Sequence, residues 1–281
     1  MTSSLPEIAV VTDSTADIPP ELAARHHITV VPAVLTINGQ SYLDGRGFDR
    51  QALYASMDDM KDLPTTATPS PGVFEAAYRT LIDQGVKHIL SIHVSGKLSG
   101  MLNAVHQAAS AVGTCIYPLD SGQVSLGLGF QALELAQQAA QGASLQQLLG
   151  MTTELRNKVR TVAGIDSLDF LRRSGRVSWL RAEIGIRLRL RVILEVVDGD
   201  VLRRSIARTR RQVLQKLVEE AQSWQPLRRL AILHSGIPSL ADELLSSLAS
   251  ATRETPFAVD VTTVIGAHVG PRSVGLAGLI Q

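Results

Sequence analysis

Short apolar runs, each leading through a polar loop into a helix-forming segment, are the strongest constraint on this fold. Ile8 to Val11 is followed by the cap formers Thr12 to Asp17, then by Pro19-Pro20-Glu21-Leu22. Proline at a helix opening places a strand, a loop and a helix in that order. Ile89 to Val94 repeats the pattern, with the loop Ser95 to Gly100 and an alanine-rich helix after it. Val112 to Leu119 repeats it again, ending at Asp120-Ser121-Gly122 before a helix from Gly129 to Gln141. Strands alternating with helices imply a mainly parallel sheet covered on both faces. Ligands bind such sheets at the C-terminal strand ends. The hydroxyl-rich loops after Val11, Val94 and Leu119 all fall at that edge.

Between these units the sequence predicts a strand over Ile28 to Leu35, a helix over Gln51 to Met60 and a helix over Val73 to Gln84. Leu63 to Pro71, rich in proline and threonine, reads as a rigid loop. A helix from Ser144 to Arg160 leads to a second pattern. Strands are expected at Val162 to Ile165, Val192 to Val197, Leu230 to His234 and, last, Phe257 to Ile265. Helices are expected at Thr209 to Trp224 and Ser239 to Ala251. The fold class is therefore α/β, an N-terminal mainly parallel sheet with helices on both faces plus a smaller C-terminal α+β domain. The domains are placed at residues 1–158 and 159–281.

Several function classes lose their support. Aromatic residues make up 4% of the 281, too few for stacking surfaces that grip single-stranded nucleic acid. No apolar stretch approaches the ~18 residues that span a membrane. Nothing near Met1 resembles a signal peptide, so a cytoplasmic protein is expected. The single Cys115, in an apolar run, reads as a buried structural thiol and excludes an internal disulfide. Phosphate-loop, dinucleotide and hydrolase-elbow signatures are absent, as are His or Cys pairs at metal-binding spacing. No catalytic set, metal site or cofactor is assigned. Charge is uneven: Met151 to Arg211 carries 15 basic and 7 acidic residues in a chain of net charge +1. Arg187, Arg189 and Arg191 alternate as one side of a strand would, which suits a charged partner or a phosphate.

The loop Ser95-Gly96-Lys97-Leu98-Ser99-Gly100 is the candidate anion seat. Ser99 stands at the expected N-cap, where free N–H groups and the helix dipole meet, and small residues permit close approach. Ser95 is read as shaping the loop. Thr65, Thr66 and Thr68 are placed to converge on the same spot. His268 lies between Gly266 and Gly270, read as a loop after the last strand. An alternative is an enzyme at the sheet edge using Ser99, Lys97 and His268 for acid–base work; a basic docking module is a third reading.

Six separated motifs then resemble one family. They are Thr12 to Asp17, Tyr42-Leu43-Asp44-Gly45, Thr66 to Pro71, and Ser95 to Gly100. Leu168 to Leu171 with Ser174-Gly175-Arg176 is the fifth and Gly266 to Pro271 the last. Their order and spacing resemble the DegV family of bacterial fatty-acid-binding proteins along the whole chain. The resemblance implies one long-chain fatty acid buried between two domains. It puts the carboxylate on the hydroxyls of Thr66 and Ser99, with Gly100 in the same loop and His268 close to the head group. It further implies that a separate ATP-binding kinase subunit is a possible partner, with Arg176 and Arg208 near the partner or phosphate surface. Ala67, Thr68, Met101, the Arg191-Val192 pair and Arg272 depart from the family pattern, and Arg272 is expected to narrow or recharge the mouth of the site.

Overall fold

The structure is a computed structural model that describes residues 6–177, 179–180 and 190–281. Three sheets organise it. β1 (Ile8–Asp13), β2 (Thr29–Val31), β6 (His88–His93) and β7 (Ile116–Asp120) make a parallel sheet of order β2-β1-β6-β7. β3 (Val34–Ile37), β4 (Gln40–Leu43) and β5 (Thr65–Ala67) form a small antiparallel sheet of order β4-β3-β5. The third sheet comprises β8 (Val159–Ile165), β9 (Arg191–Val197), β10 (Asp200–Ala207), β11 (Leu227–His234), β12 (Phe257–Asp260) and β13 (Val274–Ile280). Its order is β10-β9-β8-β13-β11-β12, antiparallel except for the β11–β12 pair.

The helices begin where the local chemistry starts them. α1 (Pro20–Arg25) and α3 (Pro71–Asp83) open on proline, whose fixed φ and missing N–H suit a first turn. Asp49 accepts two backbone N–H bonds to cap α2 (Arg50–Ser56). α4 (Met101–Val112) and α5 (Leu126–Ala140) follow β6 and β7. α6 (Leu145–Lys158) starts at a reciprocal Ser144–Gln147 capping box, and Ser167 caps α7 (Leu168–Ser174). α8 (Arg210–Ser223) repeats the capping box with Thr209 and Gln212, α9 (Pro238–Ser247) opens on proline, and α10 (Thr263–Val269) precedes β13.

α5 is the element between the two larger sheets. It is buried continuously from Leu126 to Ala136 and packs against β1 and β6 on one side and β8 and β13 on the other. A helix buried on every side is a core helix. Its approach to β8 depends on Gly127, where an added Cβ would stand 2.2 Å from Thr161 Oγ1. Glu134, on the same helix and 3% exposed, pairs with Arg228 at 2.7 Å and Arg229 at 2.8 Å, which ties α5 to β11.

Several predicted elements are corrected. Ile28 to Leu35 is not one strand: Pro32 ends the first ladder, and Val34 onward joins a different sheet. Thr65–Ala67 is strand rather than loop, because it pairs with the outer edge of β3 and leaves the prolines outside the ladder. Phe257 to Ile265 is not the final strand. The strand stops at Asp260, a helix takes Thr263–Val269, and β13 is the last element. Side chains replace the ladder there. Tyr54 Oη donates to the carbonyls of Val261 (2.8 Å) and Thr262 (3.2 Å), Asp17 accepts the Thr262 N–H at 2.7 Å, and Thr263 donates to Asp44 at 2.9 Å. Cys115 lies just before β7 and is half-buried rather than buried.

Among the described residues, several arginines of the basic segment are paired internally. Asp166 receives Arg191 at 2.7 Å, Arg272 at 3.2 Å and Arg210 at 3.3 Å. Arg156 meets Asp198 at 3.0 Å, and Arg204 meets Glu195 and Glu220. The expected arginine ridge cannot be traced through Arg187 and Arg189, which lie outside the described residues; Arg191 is engaged by Asp166.

Candidate functional site

The C-terminal edge of the parallel sheet, the inner face of the six-stranded sheet, β5 and α10 enclose a cavity of about 480 Å³. That volume lies within the range of small-molecule sites. Most of its wall is aliphatic. Val94, Leu98 and Met101 come from the β6–α4 connection, Leu194 and Val196 from β9, and Val264 from α10. Alternation along β8 turns Thr161, Ala163 and Ile165 to this side. Thr15 and Ser125, from the loops after β1 and β7, complete the sheet edge.

A buried polar chain fixes the β6–α4 loop. Asp13 Oδ2 accepts from His93 Nδ1 at 2.9 Å and from the Val94 N–H at 3.2 Å. Asp13 Oδ1 accepts from both the N–H and the hydroxyl of Thr15. On its other side, His93 Nε2 meets Ser91 Oγ at 2.7 Å, and Ser91 Oγ meets Tyr78 Oη at 2.7 Å. A neutral His93 protonated on Nδ1 satisfies every member if Tyr78 donates to Ser91 and Ser91 to His93. Burial opposes ionisation of Asp13, but the His93, Thr15 and Val94 bonds outweigh it and hold the carboxyl below its ordinary value. Ser91, His93 and Asp13 have the order of a hydrolytic triad, yet all three are fully buried and none lines the cavity. They act on the two loops that do.

Within this frame the predicted residues separate. Thr66, Ser99, Gly100, His268 and Arg176 all line the cavity. Thr66 Oγ1 and His268 Nε2 lie 3.0 Å apart although 202 positions separate them in the chain. The β5 and β6–α4 loops also meet: a Cβ on Gly100 would stand 3.7 Å from Thr68 Oγ1. Ser99 is not the N-cap of α4. Gly100 holds that position without a side-chain bond, and Ser99 Oγ accepts the Met101 N–H at 3.3 Å. Ser95 is buried and does not line the cavity. Its N–H donates to Gln123 O, its carbonyl receives Leu98 and Ser99, and its hydroxyl accepts the Lys97 N–H at 3.3 Å. Lys97 Nζ turns to Asp200 at 2.7 Å. Arg208 lies off the cavity, at the opening of α8, where its N–H donates to Gln212 Oε1 at 2.8 Å.

His268 sits in a helix against β5 and α7, not in a free loop. Burial, with a smaller contribution from the Arg176 charge, pushes its pKa down to about 4. It is therefore neutral at pH 7. Its Nδ1 is buried and has no hydrogen-bond partner. Arg176 is exposed, and its guanidinium donates to Ser174 O at 2.5 Å. Arg272 does not recharge the mouth: it pairs with Asp58 and Asp166 and does not line the cavity.

Sequence reasoning missed Asp17, Ser125 and Thr161. Asp17 accepts from the Ser125 hydroxyl and the Thr262 N–H, and so joins the β7–α5 loop to the start of α10. Ser125 lines the cavity at φ 55°, ψ −148°, a region almost confined to glycine. Its own environment holds it there: its N–H donates to Thr15 O at 2.8 Å and its hydroxyl to Asp17. Among the described residues no cluster of metal-binding side chains occurs, and no helix is long and apolar enough to cross a membrane.

Comparison with known proteins agrees with this architecture along the full chain. A DegV domain-containing protein of Staphylococcus aureus (strain COL) is 30% identical over 274 residues, covering 96% of this chain and 98% of its own. The structure of a DegV family protein from Thermus thermophilus, described for its fatty acid binding, superimposes with a TM-score of 0.88 at 28% identity, covering 98% of this chain and 99% of that one. DegV from Bacillus subtilis, described as a fatty acid binding protein, gives 0.85 at 29% identity, covering 99% and 100%. Residues 7–280 match the family described as uncharacterised protein, DegV family. With the fold, the length and the sequence in agreement, the chain belongs to the DegV family.

Proposed function

We propose that this protein binds one long-chain fatty acid in the cavity, between domains spanning residues 1–158 and 159–281, and carries it or presents it to a separate kinase. The observation that carries the reading is an aliphatic cavity of about 480 Å³ with Thr66, Ser99 and His268 on its wall. The descriptions of the Thermus and Bacillus relatives as fatty-acid-binding support it. The carboxylate accepts hydrogen bonds from the Thr66 and Ser99 hydroxyls. His268 donates from Nε2 to Thr66 Oγ1, which leaves the Thr66 hydroxyl proton free for the carboxylate. A buried methylene contributes about 0.8 kcal/mol, so a sixteen-carbon chain contributes on the order of 10 kcal/mol before ordering costs. Arg176, on the cavity wall and exposed, is the side chain offered to a phosphorylating partner, and Arg208, just before α8, is assigned to the same partner or phosphate surface. The protein itself performs no group transfer in this reading.

Thr66→Val with Ser99→Ala tests the site. Hydrogen bonds to a charged group contribute about 1.5–3 kcal/mol each. Losing two should weaken palmitate binding about 100-fold or more in a displacement assay with a fluorescent fatty acid. Unchanged affinity would remove both residues from the site.

A further inference from the structure

A second crevice, of about 240 Å³, opens between the end of α1, the middle of α5, the start of β11 and the approach to β12. It shares no lining residue with the main cavity, which reaches only Ser125 at the entry to α5. Its partly accessible apolar walls are Leu22 and Phe257, both half-buried. Phe130 stands behind them, edge-on to Phe257 with ring centres 6.3 Å apart. The charged groups around the crevice do not cancel. Arg228 and Arg229 are matched by Glu134 and Glu254. Arg25, exposed on the same wall, has no ion pair or side-chain hydrogen bond among the described residues. Next to it, His26 is held in one tautomer. Gln137 Oε1 accepts from Arg229 Nη2 at 2.9 Å, which turns Gln137 Nε2 toward His26 Nε2, 3.4 Å away. His26 Nε2 is then the acceptor and Nδ1 carries the proton, which nothing among the described residues accepts. Burial, and after it the charges of Arg229 and Arg25, hold this imidazole below its ordinary pKa, so it is neutral at pH 7.

We infer that this crevice is a second binding site, for a compact aromatic carboxylate. The ring lies against Leu22 and Phe257, and the carboxylate accepts from the Arg25 guanidinium and from the His26 Nδ1–H. Size sets the first limit. A cavity of about 150 Å³ holds benzene, so this one takes a single ring with a short side chain. At half the volume of the main cavity it is too small for a long acyl chain. Charge sets the second limit, since a cationic ligand would meet Arg25 and Arg229. The walls set the third. Inorganic phosphate would leave Leu22 and Phe257 uncovered, whereas an aromatic body gains from edge or offset contact with Phe257 beyond the area it buries. Because the two spaces have no residue in common, this inference stands apart from the fatty-acid reading of the main cavity.

The test titrates phenylacetate into the protein with and without added palmitate, reading affinity by calorimetry and the His26 ring resonances by NMR. The wild type should bind phenylacetate saturably, with a shift of the His26 resonances and the same affinity whether or not palmitate is present. Arg25→Gln, a change at an exposed position, should weaken binding about tenfold or more, as loss of a hydrogen bond to a charged group does. Arg25→Lys should recover part of that loss. Phenylacetamide, which keeps the ring and lacks the charge, should bind the wild type about as weakly as phenylacetate binds Arg25→Gln. Absence of saturable binding, an affinity unchanged by Arg25→Gln, or His26 resonances that do not move would overturn the inference. Competition by palmitate would place the probe in the main cavity and overturn it as well.

Discussion

Asp17 offers a prediction in which sign and size both come from the structure. It is fully buried, accepts from Ser125 Oγ and from the Thr262 N–H, and has Asp44 as a like-charged neighbour, with Arg50 acting in the opposite sense. Burial is the largest influence, and the carboxyl is pushed up from 3.8 to about 7. A folded carboxyl with a raised pKa keeps its proton where the unfolded chain has released it. Stability therefore falls as pH rises from about 4 to about 7. At about 1.4 kcal/mol per unit, the loss at pH 8 is on the order of 4 kcal/mol. Asparagine in this place would keep an acceptor for the Thr262 N–H and could not ionise. It also suits the left-handed backbone at φ 51°. Urea denaturation of wild type and Asp17→Asn at pH 5 and pH 8 isolates this residue, because other titrations cancel in the difference. The variant's advantage over the wild type should grow by about 3 kcal/mol between pH 5 and pH 8. A difference that does not change with pH would refute the reasoning.

Two further substitutions test separate parts of the account. Glu134→Ala removes the carboxylate that Arg228 and Arg229 share on α5, leaving Arg229 only Gln137 there, and breaking a buried pair costs about 3–5 kcal/mol; a loss below about 1 kcal/mol in urea melts would show that Glu254 and Gln137 compensate fully. Arg176→Ala should leave palmitate affinity within about threefold, since Arg176 is exposed, while lowering phosphorylation of the bound acid by a partner kinase tenfold or more; equal phosphorylation with and without Arg176 would refute its role.

The parallel sheet and its loops were legible because their signals are local. Apolar runs such as Ile89 to Val94 end in glycine, serine and aspartate, and α6 and α8 begin at caps written in four consecutive residues. The helix Thr263–Val269 was not legible. Val259 to Ile265 is rich in β-branched residues that favour strand. What makes part of it a helix start is Asp17, Asp44 and Tyr54, each more than 200 positions away. His268 was singled out in the sequence, but its Thr66 partner and its neutral state follow only from that fold. The aliphatic wall was hidden for another reason. Leu194, Val196 and Ala163 look the same whether a sheet faces a core or a cavity. Thr161 differs from its apolar neighbours on β8, yet threonine is ordinary in strands, so its unpaired hydroxyl was invisible until Gly127 was placed against it.

The central claim is that the cavity holds a fatty acid. Mass spectrometry of an organic extract of the purified protein, with palmitate added back to the stripped protein, tests it most directly. The account predicts one long-chain fatty acid per chain, lost on delipidation and regained in equal amount on reloading. An extract without an acyl chain, followed by no uptake of palmitate, would contradict it.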